Sequence, residues 1–103
     1  MSNIDYKSFL TDTIEWYTKQ LKWDYEQIEW YTKQLKRTRE EDREFIEWVM
    51  ANPNYTSEEK EANKSYASST TRDYTKWRNY YYKQRKRDRA QLAFYESELA
   101  KLA

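Results

Sequence analysis

Ile14-Glu15-Trp16-Tyr17-Thr18-Lys19-Gln20-Leu21-Lys22 recurs without change as Ile28-Glu29-Trp30-Tyr31-Thr32-Lys33-Gln34-Leu35-Lys36. The offset is fourteen residues, or two heptads. A helix drifts only ~20° per heptad, so such a copy returns each side chain to nearly the same face. Taking Ile14, Leu21, Ile28, Leu35 and Val49 as position a, residues Leu10, Tyr17, Tyr31 and Phe45 fall at d. Asp24, Thr38 and Asp42 interrupt that seam. Positions b and f are almost all charged, from Asp12, Glu15 and Lys19 to Glu40 and Arg43, and form the solvated stripe.

The helix that carries the copies has clear limits. Ser2 or Asn3 can cap it, and Asp5 suits its first turn. No breaker follows until Asn52-Pro53-Asn54, and proline disfavours helix at the residue before it. A helix over about 3–51 is expected, then a turn at 52–56. Thr56-Ser57-Glu58-Glu59 reads as a capping box that opens a second helix over about 57–102. Its weak point is Ala62 to Thr71, a tract of small and polar residues with poor helix propensity. The expected fold is all-α: one domain over 1–103, an antiparallel two-helix coiled-coil hairpin.

The second helix offers a seam through Tyr74, Trp77, Tyr81, Gln84 or Arg85, Asp88, Leu92, Tyr95, Leu99 and Leu102, with an irregular step near Asp88. A hairpin that turns near Asn54 pairs residues whose numbers sum to roughly 109. Leu10 then meets Leu99, Ile14 meets Tyr95, and Thr38 meets the Thr70-Thr71 pair. Asp24 falls on Arg85, an acid–base pair that would pin the register.

The chain also carries more aromatic surface than a two-helix seam needs. Phe9, Trp16, Trp23 and Trp30 recur every seven residues at position c, off the seam. Tyr66, Tyr80 and Phe94 recur every fourteen in the second half. The pairing rule puts Trp16 near Phe94 and Trp30 near Tyr80, so both stripes are read as one flank. Left wet, that flank exceeds the apolar patch usual on soluble monomers. The expectation is a homodimer, two hairpins burying these seven residues in a four-helix assembly, or docking of another protein on them.

Composition excludes several classes of chemistry. The 103 residues hold no glycine, cysteine or histidine and one proline. Without glycine there is no phosphate-cradling loop or dinucleotide turn. Without cysteine or histidine the usual zinc, haem and iron–sulfur sites are absent, as are disulfides. No cofactor or metal is expected. Glu40, Glu41, Asp42, Glu44 and Glu47 cluster, but a continuous helix cannot wrap calcium with six or more oxygens. Arg37, Arg39 and Arg43 lie among them and favour intrahelical ion pairs. A catalytic base would have to be Asp, Glu, Lys or Tyr in a pocket that shifts its pKa, and a two-helix hairpin offers no obvious pocket. The chain is therefore read as a non-enzyme.

Charge is uneven. Residues 1–51 carry eight basic and eleven acidic side chains, and residues 52–103 carry eleven and seven. From Arg72 to Arg89 eight bases face only Asp73 and Asp88. Lys76, Arg78, Tyr82, Lys83, Arg85, Lys86, Arg87 and Arg89 mix cations with an aromatic, the combination that holds single-stranded nucleic acid. This is the alternative reading. The bases encircle the helix instead of forming one stripe, which favours a solvated, ion-paired surface. No apolar run approaches the roughly 20 residues that cross a bilayer, and the first ten residues lack a signal pattern, so a cytoplasmic protein with no membrane partner is expected.

The layout resembles that of small antiparallel coiled-coil hairpins used as adaptors, scaffolding proteins or inhibitors, a pattern that implies no activity of its own. An in-frame duplication in a small chain without catalytic machinery suits a phage or mobile-element protein, including an inhibitor of a host protein.

Overall fold

The computed structural model describes residues 2–103, the side chain of Asn3 excepted. Three helices follow one another: α1 (Asn3–Ala51), α2 (Ser57–Ala67) and α3 (Ser69–Ala100). No strand occurs among the described residues. The fold is all-α, a helical hairpin. It divides into two compact units, the chain up to Ile28 with Tyr80–Ala103, and Glu29–Asn79.

The capping chemistry explains the ends. The Asp5 amide donates to Ser2 Oγ at 3.2 Å, so Ser2 caps α1. Helix α1 stops where Pro53 forbids continuation. There the Asn54 amide donates to Asn52 Oδ1 at 2.9 Å, and Lys60 Nζ donates to the Met50 carbonyl at 3.0 Å. The lysine satisfies one of the carbonyls a helix end leaves bare. Thr56 and Glu59 close the capping box in both directions, at 3.1 and 3.2 Å.

The helix expected over 57–102 is interrupted at Ser68, inside the tract of small polar residues. The Ser68 hydroxyl and amide both donate to the Lys64 carbonyl, at 3.1 and 3.4 Å. A serine that bonds its own preceding turn competes with the helical ladder, and here it separates α2 from α3.

Burial follows the heptads. Leu10, Ile28, Leu35 and Val49 are buried along α1, and Asp24 and Thr38 are buried with them. Each buried Leu or Val contributes about 1.5–3 kcal/mol. Phe45 departs from the expected seam. It is exposed and stacks on Trp48 at 6.4 Å, while the neighbouring Ile46 turns halfway inward. On α3 the expected seam needs a larger correction. Trp77 is half exposed and Arg78 takes the inward position. The inward residues are then Tyr74, Arg78, Tyr81, Arg85, Asp88, Leu92, Tyr95 and Leu99, an unbroken alternation of four and three with no irregular step. Arginine tolerates this because its long stem can lie on apolar surface.

In each unit the helices run antiparallel. In the first, Tyr6 Oη donates to Glu98 Oε2 at 3.3 Å, and Tyr17 stacks on Tyr95 at 5.7 Å. In the second, the Thr71 hydroxyl donates to Asp42 Oδ2 at 2.6 Å and lies 3.2 Å from the Thr38 hydroxyl. The numbers of Thr38 and Thr71 sum to 109, the expected value.

The two copies fold alike. Glu15–Lys19 and Glu29–Lys33 form ion pairs at 3.1 and 3.0 Å with the acid on the N-terminal side, the favourable order. Trp16 stands on Tyr17 and Trp30 on Tyr31, both edge-to-face at 4.8 Å. The expected ion pairing of the acidic cluster is met by Arg37 and Glu41 at 3.7 Å.

Candidate functional site

The aromatic stripe is best followed one unit at a time. In the first unit Tyr95 is the hub. Phe9 meets it edge-on at 6.3 Å, Tyr17 stacks on it, and Phe94 meets it edge-on at 5.2 Å. Tyr95 itself is half-buried. The rings around it therefore keep fixed inner contacts while their outer faces stay open. Phe9, Trp16, Trp23, Tyr80 and Phe94 are all exposed, Trp16 and Phe94 by 54% and 56%. In the second unit Trp30 is exposed and packs edge-on against Tyr74 at 5.8 Å. Tyr66 on α2 is 80% exposed, so the body of its ring lacks the packing the others have. A further exposed group in that unit, Trp48, lies off the seven-residue period of the stripe and meets Tyr55 edge-on at 6.1 Å.

Beside the stripe of the first unit lies a feature not expected of a hairpin, an open cleft of about 270 Å³. Trp16, Tyr17 and Trp23 wall it from α1, and Tyr80 and Tyr81 from α3. Its inner end is acidic. Asp24 is 3% exposed and Asp88 8%. The expected pairing of Asp24 with Arg85 does not form. Asp88 lies one turn beyond Arg85 on α3 and meets Asp24 instead, within hydrogen-bonding reach. The Arg85 guanidinium sits over the rings of Tyr25 and Tyr82, at 5.3 and 5.0 Å. A weakly hydrated guanidinium is well placed on a ring face.

Burial raises the Asp24 carboxyl to about 7 from an ordinary 3.8, and the hydrogen bond and charge of Asp88 push the same way. With both acids ionised, Asp24 Oδ2 has no donor. A proton on the Asp24 carboxyl relieves that cost. The cleft can thus hold and release a proton near neutral pH.

The basic segment is divided between the units. Lys76 and Arg78 lie in the second and the rest in the first. Arg89 joins Arg85 over Tyr25, at 5.2 Å, so two of the guanidiniums are engaged on rings. Tyr82, Lys83, Lys86 and Arg87 are exposed. Among the described residues no group of three or more acids gathers as a metal site would, and no helix is long and apolar enough to cross a membrane. No protein-family model, no curated protein and no solved structure matches this chain.

Proposed function

We propose that the protein is a non-enzymatic binding protein that self-associates through its aromatic stripe and acts by docking on another protein. The observation that carries this reading is the outward exposure of Phe9, Trp16, Trp23, Tyr80 and Phe94 in one unit, four of them on rings already held from within. Tryptophan and tyrosine bring large apolar area with few rotors to freeze, so they anchor interfaces at low entropic cost. Pre-packed rings lower that cost further. A two-fold assembly would cover the stripe with itself. The same reading places the protein in the cytoplasm. It extends to an inhibitor of a host protein encoded by a phage or mobile element, which suits a small chain with an in-frame copy.

Light scattering over a range of concentrations tests the self-association. The mass should rise from 12.9 kDa toward twice that value. Trp16→Glu combined with Trp30→Glu should hold it at the monomer. A wild-type mass that stays at the monomer at every concentration removes the self-association.

A further inference from the structure

We propose that the cleft ending at Asp24 and Asp88 binds a small organic cation bearing N–H donors, a primary ammonium or a guanidinium. The site lies wholly within the first unit, and the proposal does not depend on the stripe docking a protein.

Four observations converge. Both carboxyls are more than nine-tenths buried, and no ion pair reaches either of them among the described residues. Asp24 lines the cleft, and its Oδ2 is buried without a protein donor when the acids are ionised. A buried acceptor without a donor is costly, so an ionised Asp24 favours an N–H admitted beside it in place of the proton. Trp16, Trp23 and Tyr80 line the cleft, and aromatic side chains attract cations. Finally, about 270 Å³ is at the small end of ligand cavities, suited to one cationic head with a short stem.

Other occupants fit less well. Calcium wants six or more oxygens, and two carboxylates among aromatic rings do not supply them. Anions meet two acids. A quaternary ammonium would gain from the rings but has no N–H for the carboxylates. The titratable and charged groups facing the cleft are Asp24 and Tyr17 from α1, with Asp88, Tyr80, Tyr81 and Arg87 from α3. Arg87 is exposed, and its charge opposes an incoming cation.

The cation competes with the proton on Asp24. In the empty site Asp24 keeps that proton until the pH rises through about 7. On binding, that proton leaves to solvent and the cation's N–H groups take its place, so charge is conserved in the cleft. Binding should therefore tighten from pH 6 to pH 8, as Asp24 loses its proton near 7.

Calorimetry on the full chain tests this. The probes are n-butylammonium and n-butylguanidinium, with tetramethylammonium (charge without N–H) and n-butylurea (N–H without charge) as controls. Both N–H cations should bind once per chain. At pH 6, in buffers of different ionisation enthalpy, each should release up to one proton. Asp24→Asn and Asp88→Asn, each checked for helicity by circular dichroism, should weaken binding by about tenfold or more. Arg87→Gln should strengthen it. Capped arginine and lysine amides distinguish the source: tighter binding of these than of the alkyl cations assigns a protein side chain as the occupant, and parity assigns a free small cation. No saturable binding of either N–H cation overturns the proposal, as does equal binding of n-butylurea or binding without proton release at pH 6. That last measurement uses the wild-type chain, so it decides even if neither variant folds.

Discussion

Asp24 of α1 and Asp88 of α3 bring two carboxyls together in the interior of one unit, and burial with the neighbouring acid holds Asp24 up to about 7. The folded chain therefore keeps a proton that an unfolded chain gives up in the ordinary carboxylate range. The stability this proton confers is complete below about pH 4 and is lost as pH rises through about 7. Thermal unfolding followed by circular dichroism should show Tm falling from about pH 5 to about pH 8. Asp24→Asn is neutral throughout, so it should flatten that slope and be the more stable form at about pH 8, by about 1–2 kcal/mol. A wild-type Tm that is level across this interval would falsify the assignment.

Leu10 and Leu35 are fully buried, whereas Trp48 is 57% exposed. Urea unfolding should separate them sharply. Leu35→Ala should cost about 2–5 kcal/mol, since it removes contacts and leaves a void. Trp48→Ala, despite deleting the larger side chain, should cost less than Leu35→Ala. Equal losses would mean that Trp48 is covered in solution.

Thr71 is the donor that satisfies Asp42 at 2.6 Å. Thr71→Val keeps the shape and removes the hydroxyl, so a half-buried carboxylate loses its partner. Destabilisation of about 1–3 kcal/mol is expected in urea unfolding. Thr71→Ser, which retains the hydroxyl, should recover most of it. Failure of serine to restore stability would shift the cause from the hydrogen bond to the methyl group.

Thr56 and Glu59 exchange two hydrogen bonds at the start of α2. Thr56→Ala should cost about 0.5–2 kcal/mol, and hydrogen exchange should quicken at the amides of residues 58–60 before it does in α3. Uniform quickening along the whole chain would show that α2 does not open by itself.

The hairpin, its turn and its caps were legible because each rests on local chemistry. Pro53 stops a helix wherever it stands, and Thr56 with Glu59 is a complete signal within four residues. The copied segment made the faces of α1 readable, and Leu10, Leu35 and Val49 lie where its period puts them. Thr38 and Thr71 meet as the fixed-sum rule expects. The partner of Asp24 was misread because that rule is good only to a few residues, and three residues is nearly a full turn, enough to exchange Arg85 for Asp88. Trp77 is the more hydrophobic of the two neighbours, but spacing decides which one faces inward. The four–three alternation selects Arg78, and a tryptophan on the outer face breaks no rule of packing. The cleft had no signature, since it arises from side chains on two helices far apart in the chain.

Two identical nine-residue words on one helix create a translational degeneracy. Sliding α3 along α1 by fourteen residues would offer the partners of one copy the same isoleucine, tryptophan, tyrosine and leucine in the other. What such a slip cannot reproduce are the odd residues around the copies. It would set Asp88 against Thr38 or Leu10 in place of Asp24, and carry Thr71 away from Asp42. The polar interruptions of the seam therefore proofread the alignment, and a chain stripped of them in favour of leucine would gain adhesion while losing a single native answer.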